Sequence, residues 1–202
     1  WVMMLGAKPT AEQIAKAEDD LGLNKPLVQQ YGIFLKKAAQ GNFGDSLITG
    51  RPVTEDVYLR ATATLELVTL ALMLALMVGL PLGVKAAVKK ETLLDHSVRM
   101  GSVAAVAIPV FFLGLLLQIF FAGVLNLLPL QGRIDSGVLL DSPFQRVTGF
   151  YLIDTLVAGE FGAFASTVRH LLLPVITLSL ASTASIVRIT RSTMIEAMQQ
   201  DY

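Results

Sequence analysis

Three stretches of the chain carry no charged side chain at all: Leu67–Val84, Met100–Gly132 and Leu171–Val187. Their lengths are 18, 33 and 17 residues. A helix crossing a bilayer core needs roughly 20 mostly apolar residues, so the pattern predicts three spanning helices, over 64–88, 100–130 and 171–190. The third is the least apolar, interrupted by Thr177, Ser179, Ser182, Thr183 and Ser185. A helix from Met100 to Leu128 would measure roughly 43 Å at 1.5 Å per residue, more than a hydrocarbon core. Pro109 is expected to kink it and Pro129 to end it.

The flanking regions read as helices and turns. Thr10 and Gln13 form a capping box for a helix over 11–21, stopped by Gly22. Leu27, Tyr31, Phe34, Leu35 and Ala38 recur at helical spacing after Pro26 and predict a second, amphipathic helix. Gly41–Val53 holds three glycines but lacks the lysine and hydroxyl of a phosphate loop, so it reads as a folded turn. Pro52–Arg60 reads as a short helix at the membrane surface. Phe150–Val157 is apolar but too short to span, and Asp154 interrupts it, which predicts an interfacial or packing helix inside a long loop, 131–170.

The charges between the runs orient them. Between the first two runs Lys85, Lys89, Lys90 and Arg99 stand against Glu91 and Asp95, which places the connecting loop, 89–99, in the cytoplasm. Residues 1–63 and 131–170 then lie outside, and the tail from Arg188 lies inside. Because 1–63 is outside yet contains no spanning run, a helix is expected ahead of Trp1. Glu66, Lys85, Arg188 and Arg191 sit at the ends of the runs and read as charges reaching water. Gly79 and Gly83 share a helix face at a spacing that lets another helix approach closely, and packing is the preferred reading.

Composition supports a membrane chain. The 202 residues are 53% hydrophobic and only 16% charged, where a soluble domain carries about 25%. Sixteen Lys and Arg balance sixteen Asp and Glu, which leaves no basic field for nucleic acid. There is no cysteine, hence no disulfide framework or thiolate metal site. His96 and His170 fall on opposite sides of the membrane and cannot share a metal. No enzyme constellation emerges, so no catalytic, metal or cofactor-binding residue is assigned. Gln118 and Asn126 lie within the second run, where buried amides need partners in another helix or an aqueous path. Ser179, Ser182 and Thr183 belong to a run rich in small and hydroxyl residues, expected to be enclosed by protein or to line a cavity. These five are candidates for a translocation path or for helix packing.

Several motifs resemble one group of permeases: Asn42-Phe43-Gly44-Asp45-Ser46-Leu47-Ile48-Thr49-Gly50-Arg51-Pro52-Val53, Ala63-Thr64-Leu65-Glu66-Leu67, Gly79-Leu80-Pro81-Leu82-Gly83-Val84, Ile108-Pro109-Val110-Phe111-Phe112-Leu113-Gly114, Leu128-Pro129-Leu130-Gln131-Gly132-Arg133, His170-Leu171-Leu172-Leu173-Pro174, and the stretch from Arg188 to Tyr202. In this order they are similar to the dipeptide/oligopeptide/nickel group of ABC importer permeases, with Val147–Asp154 and Gly162-Ala163-Phe164 closest to its dipeptide branch. The resemblance implies an all-α, polytopic membrane subunit of the ABC importer permease type, truncated at both ends relative to the family's six or so spanning helices. It implies a path for di- or oligopeptides; nickel, glutathione, opines or oligosaccharides remain alternatives within the family, and a membrane scaffold or secondary transporter outside it. It implies a second permease, two ATPase subunits that bind the ATP, an extracytoplasmic solute-binding protein and the bacterial inner membrane. It also makes Met194, Glu196, Met198, Asp201 and Tyr202 candidates for the start of the ATPase-docking segment.

Overall fold

The computed structural model describes Thr10, Glu12, 24–46, 48–141 and 143–199. The chain divides into two units, Trp1–Ala61 and Thr62–Tyr202, and each is taken by itself. The expected helix over 11–21 lies outside the described residues apart from Glu12.

In the first unit α1 spans Leu27–Ala39. Pro26 opens it: its fixed φ suits a helix start, and its carbonyl accepts from the Gln29 and Gln30 amides. The end is closed by Gly41 at φ 80°, with the Gly41 and Asn42 amides returning to Ala38 and Lys37. The apolar stripe exists, but Leu27, Tyr31 and Phe34 are exposed. The glycine-rich segment after it is a folded turn. Ser46 and Arg51 pair through the backbone, Val53 N–H bonds Gly44 O, and Asp45 bridges Pro52. Thr49 donates to Asp56 at 2.5 Å.

The second unit is helical. α2, Val53–Val88, starts within the first unit and continues into the second; α3 spans Leu93–Ala107 and α4 Val110–Gln118, continued by a π-helical turn over Ile119–Val124. Two short helices follow, α5 (Ser136–Asp141) and α6 (Tyr151–Val157), and then α7, Phe161–Gln199. No extended strand occurs among the described residues. α2 and α7 are each long and apolar enough to cross a membrane, and the α3–α4 pair passes the same test as a broken span.

Four boundaries differ from the expected ones. The short surface helix over 52–60 is the first part of α2, because helical hydrogen bonding does not stop where the apolar run begins. The second run is not one kinked helix. It starts at Leu93 and turns by 96° between α3 and α4. Pro109 causes the break: it pushes Ile108 into an extended conformation (φ −89°, ψ 126°) and offers no amide to continue the ladder. α7 begins ten residues before 171, directly after Gly159, which ends α6 at φ 74°. Pro81 and Pro174, by contrast, lie inside continuous helices.

α7 is the axis of the unit and packs on α3, α4, α5 and α6. It also meets α2 at Gly79 and Gly83; Ala71, Ala75 and Ala87, which follow the same spacing on that helix, are buried as well. A Cβ placed on Gly79 would come within 2.8 Å of Ile186 Cγ2, and one on Gly83 within 2.7 Å of Thr190 Cβ. Close helix approach is therefore what these two glycines permit. Among the described residues α7 is covered unevenly. Ala163, Thr167, Thr177, Ala184 and Val187 are buried, while Leu172, Ile176 and Ile189 are exposed.

Candidate functional site

A cleft of about 780 Å³ opens between α2, α4 and α7. Leu67 contributes from α2, Val110, Phe111, Gly114, Leu115 and Gln118 from α4, and His170, Leu173, Pro174 and Thr177 from α7, with Pro129–Gly132 closing one end. Gly114 lets α4 approach α7: a Cβ there would stand 3.2 Å from Thr177 Cγ2. Most of the wall is apolar, and its hydroxyl and imidazole donors are turned back onto the helix. Thr177 Oγ1 donates to Leu173 O at 2.7 Å. His170 Nδ1 lies 2.8 Å from Ser166 O, and because a carbonyl oxygen only accepts, that nitrogen is the donor. The Gln118 amide nitrogen donates to Leu130 O and so ties α4 to the segment that follows the π turn. A few polar groups in an otherwise apolar concavity suit a small organic solute.

Next to this cleft a charged cluster fastens the segments that follow α4 to α2. Glu66 is only 5% exposed. Its carboxylate accepts from Arg133 Nη2 at 2.7 Å and from the Leu152 amide at 2.8 Å. Arg133 also donates to Gly149 O at 3.0 Å, and its guanidinium carbon lies 3.7 Å from the centre of the Tyr151 ring. Asp154 does not interrupt α6. It is buried and caps the preceding turn, accepting from the Thr148 and Gly149 amides at 2.9 Å each and from the Thr148 hydroxyl at 2.7 Å. Gly149, at φ 79°, sits where a side chain would strike Thr62.

A second cluster joins α3 to α7. Asp95 is fully buried and takes two charge-assisted bonds from Arg191, 2.5 Å from Nε and 2.7 Å from Nη2. The bidentate geometry is the fork that guanidinium and carboxylate share. Asp95 also accepts from the Glu91 amide at 3.1 Å, which holds the turn ahead of α3.

The expected site residues are not gathered in one place. Gln118 lines the large cleft. Asn126 lines a neighbouring cavity of about 380 Å³ with Asp135, Ser166 and Arg169, and its φ of 52° makes it a turn former where the π turn ends. Ser179 is buried and donates to Ile176 O at 2.9 Å, Ser182 is exposed, and Thr183 is half-buried with its carbonyl facing Gly79. Met194 is half-buried, whereas Glu196 and Met198 are exposed. Asp201 and Tyr202 lie outside the described residues. Glu66 and Arg191, read from the sequence as charges reaching water, are instead the anchors of the two clusters. Low dielectric around Glu66 favours a paired charge over a solitary one. Among the described residues no group of three or more His, Asp or Glu could hold a metal ion.

Residues 79–202 match the family described as binding-protein-dependent transport system inner membrane component. The di/tripeptide transport system permease protein of Pseudomonas aeruginosa is 42% identical over 99% of this chain and 59% of its own length. The dipeptide transport system permease protein of Alkalihalophilus pseudofirmus is 35% identical over 98% of this chain and 59% of its own. That of Escherichia coli K12 is 39% identical over 95% of this chain and 56% of its own. The chain thus spans a little over half the length of these curated relatives. It belongs to the family of binding-protein-dependent transport system inner membrane components.

Proposed function

We propose that the chain is part of a permease subunit of an ATP-driven importer, and that it forms part of the path for di- or oligopeptides handed over by an extracytoplasmic solute-binding protein. The observation that carries this reading is the 42% identity to a di/tripeptide permease along 99% of the chain. The apolar cleft between α2, α4 and α7 supports it, with Gln118 as its polar contact. In this reading the protein is a multi-pass, all-α subunit of the bacterial inner membrane. Residues 1–63 and 131–170 face outward and the 89–99 loop faces the cytoplasm.

The remaining partners are a second permease and two ATPase subunits, which bind and hydrolyse the ATP. Met194, Glu196 and Met198, on the last turns of α7, begin the ATPase contact, and the exposed face of α7 meets further helices of the assembly. ATP closes the ATPase pair, α7 moves with it, and the cleft changes access. Such coupling requires contacts that differ between the two states.

The test is uptake by a deletion strain complemented with the complete gene, using labelled dipeptide, Ni²⁺ and oligosaccharide in parallel. Restored dipeptide uptake alone is the expected result. Restored nickel or sugar uptake with dipeptide uptake unaffected by the deletion would overturn the substrate assignment.

A further inference from the structure

One face of α3 carries a groove that the transport reading does not use. His96, Arg99, Met100, Val103 and Ala104 line it, with a volume of about 420 Å³. They fall at i, i+3, i+4, i+7 and i+8, one continuous stripe along the helix. The stripe is polarised. Its first turn is cationic or imidazole, and the following turns are apolar, with Met100 74% and Val103 62% exposed.

The packing of α3 on α7 leaves Arg99, at the head of this stripe, without a direct ion pair among the described residues, although it still acts on the Asp95 carboxylate at longer range. Asp95 and Arg99 stand four apart and would form the usual helical ion pair. Asp95 points elsewhere, into its bidentate bond with Arg191. Arg99 makes no ion pair among the described residues. Lys89 and Lys90, exposed on the turn ahead of the helix, add to the positive charge, and Glu91 in the same turn is the exposed acid that opposes it.

We propose that this stripe is a binding site for an anionic phospholipid, its phosphate held by Arg99 with His96 beside it and one acyl chain lying along Met100, Val103 and Ala104. A guanidinium presents paired donors that match phosphate oxygens. Basic pockets at the rim of membrane helices favour anionic headgroups for this reason. A free anion would leave the apolar turns unused, and a zwitterionic lipid brings its own cation to Arg99. From Arg99 to Ala104 the helix rises roughly 8 Å, the depth over which a headgroup gives way to acyl chain. The inference requires only that α3 lies against a bilayer, so it can fail while the permease reading stands.

The test is native mass spectrometry of the complete, full-length permease complex titrated with dioleoyl phosphatidylglycerol, dioleoyl phosphatidylcholine or glycerol 3-phosphate. Wild type should retain phosphatidylglycerol over phosphatidylcholine. Arg99→Gln should lower that preference about fivefold, and Arg99→Lys, which keeps the charge, should preserve most of it. Val103→Asn should weaken retention of both lipids, and Lys36→Gln, on α1, should change nothing. Glycerol 3-phosphate should neither bind measurably nor displace the lipid. An unchanged preference in Arg99→Gln would overturn the site, as would equal retention of both lipids by wild type. Displacement by glycerol 3-phosphate alone would show a headgroup-only anion site, and exclusion of all lipid would show that another helix covers the stripe; either refutes the proposal.

Discussion

Gly83 offers the sharpest test of how α2 and α7 pack. Replacing it with alanine adds one methyl group at a position 2.7 Å from Thr190 Cβ, 3.0 Å from Thr190 Cγ2 and 3.0 Å from Val187 O. Carbon atoms in contact prefer about 3.5–4.0 Å, so the helices must separate by several tenths of an ångström. Val187 O is backbone and Thr190 Cβ is fixed to backbone, so neither can rotate away. Overpacking of this kind costs about 1–3 kcal/mol. Removing a glycine from a helix returns about 1 kcal/mol of propensity, which leaves a net loss of up to about 2 kcal/mol for Gly83→Ala.

Two further glycines supply the scale. At Gly79 the nearest atoms are Ile186 Cγ2 at 2.8 Å and Ile186 Cβ at 3.0 Å, and the backbone oxygen of Thr183 is at 3.4 Å, so the fit is looser than at Gly83 and the milder overpacking is largely offset by propensity. Gly79→Ala should therefore come out near neutral. At Gly101, in α3, nothing lies within 4 Å of an added Cβ. Gly101→Ala should gain up to about 1 kcal/mol from propensity alone. Thermal unfolding of the full-length protein in detergent should then rank Gly101→Ala above wild type, Gly79→Ala near it and Gly83→Ala lowest. Thr190→Gly should partly rescue Gly83→Ala, because it removes the atom that collides. Should Gly83→Ala match or exceed Gly101→Ala in stability, the close approach of α2 and α7 would be refuted.

Other outcomes follow from the charged clusters and from the end of α7. Asp95→Ala and Arg191→Ala should each lower the unfolding midpoint, and the double variant should fall short of their sum, since partners in one ion pair couple by about 0.5–3 kcal/mol; full additivity in a double-mutant cycle would rule the pair out. Glu66→Ala should speed hydrogen exchange at the Leu152 amide, which loses its 2.8 Å acceptor, while the Ala158 amide inside the α6 ladder stays slower; equal protection of Leu152 in both proteins would contradict the bond. Cysteines at Met194, Glu196 and Met198 in the complete transporter should cross-link to the ATPase in an ATP-sensitive way, and cross-links starting only beyond Tyr202 would make this part of α7 a connector. Gln118→Leu should slow peptide uptake while costing only about 1 kcal/mol of stability for the bond to Leu130 O, and unchanged uptake would exclude the amide from the path.

The parts of this structure that were legible in the sequence have local causes. A missing charge over 17, 18 or 33 residues reports a membrane-length apolar run, so the long helix α2 and about half of α7 were visible as such, whereas the 33-residue run is broken between α3 and α4. Glycines four apart report a helix face open to close approach, and Gly79 and Gly83 provide one. Pro109 announced a disturbance, but the 96° turn depends on where α3 and α4 find their packing on α7, which no window of sequence contains. The helix ends were misplaced for a related reason. Hydropathy marks where a helix would enter lipid, whereas the α2 and α7 ladders run on through polar residues.

The two ion pairs lay furthest from view, because their partners are 67 and 96 residues apart. Asp95 and Arg99 stand four apart on α3, yet the fold pairs Asp95 with Arg191. A usable signal was nevertheless present in the borders of the uncharged runs. When consecutive runs alternate in direction, the start of one lies level with the end of the next. Glu66 borders the start of the first run and Arg133 the end of the second. Asp95 lies just ahead of the second run and Arg191 just past the end of the third. Each bond therefore joins opposite charges at matching ends of neighbouring runs, where a carboxylate leaving water meets a guanidinium doing the same. A charge beside a long apolar run is for this reason better read with its counterpart at the matching border than as a side chain reaching solvent alone.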